Sequence, residues 1–188
     1  MNALNLLGAG LLTGLISLLP NPSAIAAPPQ GDDPSPVIVT VSEIHLCCGA
    51  CTKAVQKAAK IDGVQAEVNQ DEGTAVLTAA TYADVQKAID EIAKAGFSGK
   101  IEDDTQAGKV HFPEIKTADG NVKKLTVSHI HNCCRGCSDA IIEAIESVDG
   151  VTSNTVKPKK VDFVVEGNFD PGDVVEAIQN AGLYPTVE

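Results

Sequence analysis

A twelve-residue segment occurs twice in this chain. Thr40–Cys51 reads TVSEIHLCCGAC and Thr126–Cys137 reads TVSHIHNCCRGC, identical at eight of twelve positions. His45 recurs as His131, Cys47 as Cys133, Cys48 as Cys134 and Cys51 as Cys137, each 86 positions on. Further along, Asp62-Gly63-Val64 recurs as Asp149-Gly150-Val151, and Ala95-Gly96-Phe97 as Ala181-Gly182-Leu183. Such a repeat within 188 residues restricts the fold to two copies of one small unit of roughly 65 residues. All six cysteines fall in the repeated segments, three in each.

Each copy follows the same plan. Val37, Val39 and Val41 alternate as a strand, and Leu125, Val127 and a shifted Ile130 do so in the second copy. After the cysteine segment, apolar residues recur at helical spacing: Cys51, Val55, Ala58 and Ala59 in one copy, Cys137, Ile141, Ala144, Ile145 and Val148 in the other. Asp-Gly ends each of these helices. A hairpin follows, turned at Gly73 and Pro158, with its second strand at 75–78 in the first copy and 161–165 in the second. Val161, Phe163 and Val165 share one face of that strand. A second helix carries Val85, Ile89 and Ile92, matched by Val175 and Ile178, and Asp170-Pro171 supplies an N-cap and a first-turn proline. Gly96 and Gly182 close these helices, and a last short strand runs to Glu102 and Glu188. The order β-α-β-β-α-β predicts an α+β protein of two tandem ferredoxin-like sandwiches, over residues 37–102 and 123–188. Residues 103–122 link them, and Val110-His111-Phe112 is compatible with one extra strand there.

The N-terminus is of another kind. Residues 6–19 are apolar apart from Thr13, Ser17 and three glycines, Asn21-Pro22 breaks any helix, and Ala24-Ile25-Ala26 supplies an A-x-A site. Residues 1–26 therefore read as a secretory signal peptide, although no Lys or Arg precedes Lys53. The apolar run is short and glycine-rich for a membrane span. The expectation is an exported protein, periplasmic or extracellular, without membrane insertion once the signal is cut; an uncleaved N-terminal anchor is the alternative. Residues 27–36, APPQGDDPSP, read as an extended tether. The formal net charge of −11 and an aromatic content of 3% disfavour both a phosphate backbone and base stacking, so nucleic acid is not an expected partner.

A βαββαβ unit with CxxC between its first strand and first helix resembles the heavy-metal-associated domain family, the small domains of copper chaperones, periplasmic mercury-binding proteins and the N-terminal regions of metal-transporting ATPases. The resemblance covers both halves. The family motif Gly-Met-Thr-Cys-x-x-Cys corresponds to residues 45–51 and 131–137. It implies that Cys48 and Cys51, and Cys134 and Cys137, form the metal-binding pairs, and that a metal transporter or acceptor protein is a partner. The sequence departs from the motif at three places in each copy: His for Gly, Leu46 or Asn132 for Met, and a further Cys, Cys47 or Cys133, for Thr. A Cys-Cys pair here is also similar to the altered motif of plant zinc-transporting ATPases.

Thiolates are soft donors suited to Cu(I), Zn(II), Cd(II) or Hg(II). A helix N-terminus favours their deprotonated form. Two thiolates satisfy a linear ion. Cys47 and His45 in one motif, and Cys133 and His131 in the other, would complete a Cys3His set of the composition found in structural zinc sites. The expectation is one Zn(II) or Cu(I) per domain, with a site shared between the copies, or between two molecules, as the open alternative, since exposed thiolate loops can bridge one ion. Such a closed set leaves no position for an activated water, and no separate acid–base constellation is visible, so an enzyme is not expected. Two other readings compete: a thiol–disulfide redox protein using the CxxC pairs, and an interaction module stabilised by disulfides, the commoner use of cysteine in exported proteins. Three cysteines per motif suit a bonded framework poorly. His129 aligns with Glu43 and lacks the support of recurrence. His111 reads as a solvated linker residue, residues 157–160 as an exposed turn, and Phe97 as core.

Overall fold

The computed structural model describes residues 35–102 and 108–188. The expected signal peptide, most of the tether and linker residues 103–107 lie outside the described residues. The first half runs β1 (Val37–Ser42), α1 (Gly49–Ala58), β2 (Val64–Asn69), β3 (Thr74–Ala79), α2 (Tyr82–Lys94) and β4 (Lys100–Ile101). The second repeats it as β5 (Val122–Ser128), α3 (Arg135–Glu146), β6 (Val151–Asn154), β7 (Phe163–Phe169), α4 (Pro171–Asn180) and β8 (Thr186–Val187). Each half is a four-stranded antiparallel sheet, ordered β2-β3-β1-β4 and β6-β7-β5-β8, packed with two helices in a ferredoxin-like α+β sandwich.

The period-two pattern of β1 sends Val39 and Val41 into the core opposite Leu77 and Ala75 of β3. Against them α1 lays Cys51 and Val55, one turn apart, and α2 lays Val85, Ile89 and Ile92. The Thr81 hydroxyl caps α2 by accepting the Asp84 N–H at 3.2 Å. Asp170 caps α4 by accepting the Gly172 N–H at 2.8 Å, with Pro171 in the first turn.

Two details differ from the sequence reading. The strand expected over 161–165 is displaced toward the C-terminus. Phe163, Val165 and Phe169 are buried on β7, whereas Val161 is 46% exposed and precedes the strand. The turn around Pro158, with Lys159 at φ +63°, holds residues 157–160 outside the ladder, and β5 continues the pairing as far as Val122 opposite Phe169. Residues 110–112 form no strand. The Gln86 side chain of α2 instead takes the place of a strand partner: its amide nitrogen donates to the His111 carbonyl at 2.8 Å and its oxygen accepts the His111 N–H at 2.9 Å. Val110 is wholly buried against the first core, and the Tyr184 hydroxyl donates to the Pro113 carbonyl at 2.9 Å. The C-terminal part of the linker is therefore docked along the first half.

Candidate metal centre

The two halves meet through equivalent loops. Glu43 and His129, at φ +56° and +57°, turn the chain off the ends of β1 and β5. They direct Ile44–Cys51 toward the second half and Ile130–Cys137 toward the first. The Gly96 carbonyl accepts the N–H of Tyr184 at 3.0 Å and of His131 at 3.4 Å. The Gly182 carbonyl accepts those of Ser98 at 3.1 Å and His45 at 3.2 Å. Phe97 and Leu183, both fully buried, pair as an antiparallel bridge between these contacts. Every bond has its counterpart one repeat on, so the halves dock about an approximate twofold axis. Gly96 and Gly182 permit the approach. Both have positive φ, and a Cβ on Gly96 would collide with the backbone nitrogen of His131, one on Gly182 with the Glu43 carbonyl and the His45 nitrogen.

This docking brings the two cysteine segments together. Within the first motif, Cys51 Sγ lies 3.6 Å from Cys47 and 3.7 Å from Cys48. Within the second, Cys137 Sγ lies 3.8 Å from both Cys133 and Cys134. Between the motifs, Cys47 lies 3.5 Å from Cys134 and from Cys137, and Cys133 lies 3.7 Å from Cys51 and 3.8 Å from Cys48. Cys51 and Cys137, both fully buried, are 3.9 Å apart. All six cysteines are free. A tetrahedral ion with metal–sulfur bonds of about 2.3 Å holds its sulfurs about 3.8 Å apart, so the spacing already present suits a metal–thiolate centre.

His45 and His131 stand beside the sulfurs. The donor atoms of His131, Cys51, Cys133 and Cys137 all lie within 4.8 Å of one another, as do those of His45, Cys47 and Cys137. Both Nε2 atoms are buried and make no hydrogen bond among the described residues. Burial holds both imidazoles below the ordinary histidine pKa, repulsion between the two rings when His45 is protonated adding to the effect on His131, and so favours the neutral ring that keeps a lone pair for a metal. The Phe97 ring stacks on His131 with centroids 4.3 Å apart, so this core residue also walls the centre.

The thiols are electrostatically unequal. Cys48 is the N-cap of α1, and the amide N–H groups of Cys51 and Ala50 lower its pKa to about 6. The Cys137 amide at the head of α3 lowers Cys134 in the same way, with help from the Cys47 thiol. Cys47, Cys51 and Cys133 are pushed up, first by burial and then by neighbouring thiols. The helix-head thiol of each motif is thus the more readily ionised toward a metal, and an ion bound at Cys47, Cys51 or Cys133 displaces their protons.

All eight residues singled out in the sequence converge here. They do so at the seam, as in the shared arrangement that the sequence left open beside a separate Cys3His set in each domain: the four-donor group around His131 takes Cys51 from the other half and leaves out Cys134. Adjacent side chains do diverge, but a cysteine that turns from its own helix start meets the other motif. At the place of the family's Met, Leu46 is buried in the first core, while Asn132 ties its loop to the Lys157–Lys160 turn. The Asn132 amide donates to the carbonyls of Lys157 and Lys160 at 3.0 and 2.9 Å and accepts the Ser138 hydroxyl at 2.8 Å. Gly96 and Gly182 read in the sequence only as helix stops. Their recurrence one repeat apart was the available signal of a second role.

Residues 125–183 match the heavy-metal-associated domain family. The first half shares their strand order and cysteine segment, giving the chain two units of one kind. Over 81% of its length the chain is also similar to solved structures. These are the N-terminal soluble domains of Bacillus subtilis CopA (17% identity, 94% of that chain, TM-score 0.29) and the water-soluble region of the P-type ATPase CopA from Bacillus subtilis (19%, 90%, 0.27). The first two RRM domains of the yeast poly(U)-binding protein Pub1 match at 12% identity over 98% of that chain, with a TM-score of 0.23. Superpositions this poor carry no functional inference.

Proposed function

We propose that this protein is exported and binds a soft or borderline metal ion, Cu(I) or Zn(II), either to sequester it or to deliver it to an acceptor such as a metal transporter. The observation that carries the reading is the convergence of six free thiols and two unpartnered imidazole nitrogens at the seam between the halves. Soft thiolates select such ions, and neutral imidazole suits both of them. The protein has no catalytic role in this reading. Among the described residues no helix is long and apolar enough to cross a membrane.

Native mass spectrometry of freshly reduced protein, offered Zn(II) and Cu(I) in competition without oxygen, tests the reading. Metal-bound protein is expected. Metal-free protein with a readily measured dithiol–disulfide couple would favour the redox reading instead. Replacing His45 and His131 by Ala separates the two ions: the affinity for zinc falls by orders of magnitude if the imidazoles are ligands, while Cu(I), satisfied by thiolates, is held much as before. N-terminal sequencing of secreted or periplasmic material, expected to begin at Ala27 or nearby, tests export.

A further inference from the structure

We infer that the centre holds two ions, each by three thiolates drawn from both halves: the CxxC pair of one half and the leading cysteine of the other's Cys-Cys. This inference rests on the metal-binding reading above. The first triad is Cys48, Cys51 and Cys133, with edges of 3.7, 3.7 and 3.8 Å. The second is Cys134, Cys137 and Cys47, with edges of 3.8, 3.5 and 3.5 Å. Each is closed on all three sides, and together they use every sulfur once.

Other groupings fit less well. Cys47, Cys51 and Cys137 also form a closed triangle, with edges of 3.6, 3.5 and 3.9 Å, but it leaves Cys48, Cys133 and Cys134, of which, among the described residues, Cys48 and Cys133 alone are in thiol contact, at 3.8 Å. Cys47, Cys48 and Cys51 share a 4.8 Å envelope, yet Cys47 and Cys48 make no thiol hydrogen bond with each other among the described residues. The two histidine-containing groups overlap at Cys137, so ions in both at once would have to share that sulfur. In the exchanged triads each imidazole lies beside two of the three sulfurs: His131 beside Cys51 and Cys133, His45 beside Cys47 and Cys137. The leading cysteine thereby acquires a reason. Cys47 and Cys48 are consecutive on an extended chain entering α1, so their side chains point apart. Cys48 stays at its own helix terminus, and Cys47 reaches the helix terminus of the other half. An ion bound in this way fastens the two halves to each other, and its release requires at least one cross-strut to let go.

Crossed substitutions test the exchange. In Cys134→Ser/Cys137→Ser protein only the first triad remains complete. One Cu(I), supplied from a competing chromogenic chelator, is expected to bind. Adding Cys133→Ser is expected to weaken it by more than the roughly 10–100-fold that loss of an outer-shell partner costs, and adding Cys47→Ser to leave it unchanged. In Cys48→Ser/Cys51→Ser protein the roles reverse: Cys47→Ser weakens and Cys133→Ser is silent. Because each substitution must be silent in one background and damaging in the other, a folding defect cannot imitate the pattern. A reversed pattern, or equal effects of both leading cysteines in either background, overturns the inference, as does a wild-type capacity other than two Cu(I) per chain. Failure of the wild-type protein to bind metal at all would instead overturn the metal-binding reading.

Discussion

At the scale of single residues, adjacency in sequence produces opposition in chemistry. Cys48 and Cys134 sit at helix heads with lowered pKa values, while Cys51 and Cys137 are wholly buried one turn later. Thiolate fraction and access both govern alkylation. In reduced, metal-free protein at pH 7, iodoacetamide is expected to modify Cys48 and Cys134 first and Cys51 and Cys137 last, as read by peptide mass mapping after timed quenching. Equal rates at all six would show that the motifs are not packed against each other. The eight candidate donors were legible as a set in the sequence because the repeat marks them twice. Their assignment to ions was not, because sulfurs 82 to 90 residues apart meet only after both halves have folded.

At the scale of elements, the loops after α2 and α4 both close a helix and form a contact surface. Gly63 provides the comparison, with φ +82° and nothing within 4 Å of an added Cβ, against Gly96 at φ +87° facing His131. Gly63→Ala is expected to cost about 1–2 kcal/mol in urea unfolding, the left-handed penalty alone. Gly96→Ala should cost more and also strip hydrogen-exchange protection from the His131 and Tyr184 amides while the sheet amides keep theirs. Equal costs with those amides still protected would refute the docking. The docked linker carries a pH signature. Burial, and secondarily the charge of Asp90, raises the pKa of Tyr184, whose hydroxyl donates to Pro113. A folded-state value above the free phenol's ~10 means that the folded protein holds this proton more tightly than the unfolded chain. The stabilisation is full below pH ~10 and is lost as pH rises through the raised value. In a Tyr82→Phe background, where Tyr184 is the sole tyrosine, its phenolate absorbance should therefore emerge above pH 10, together with faster amide exchange at 110–112. Tyr184→Phe should remove the pH-dependent part of that exchange.

At the scale of the whole molecule, each half carries its own apolar core, and the centre joins them. A ligand that binds only the docked state stabilises by RT ln(1 + [L]/Kd), about 2.7 kcal/mol at a hundredfold excess over Kd. Calorimetry of the metal-loaded protein is expected to show one transition for both halves at a raised temperature. In the Cys47→Ser/Cys133→Ser variant, ions held by the two CxxC pairs separately should leave two transitions. A single unchanged transition in that variant would mean that the metal does not fasten the halves together. Much of this molecule follows from its sequence alone. The strand and helix order, the doubling of the unit, the helix caps and the candidate donor residues all rest on periodicities of two and 3.6 and on residue types, which act within a dozen residues. Tertiary structure decided the displacement of β7, the docking of residues 110–113 through Gln86 and Tyr184, and the crossing of the thiols between motifs. A periodic pattern specifies which face of an element is buried and carries no information about the surface it will meet. That pairing depends on the shape of two finished folds, and here on the missing side chains of Gly96 and Gly182.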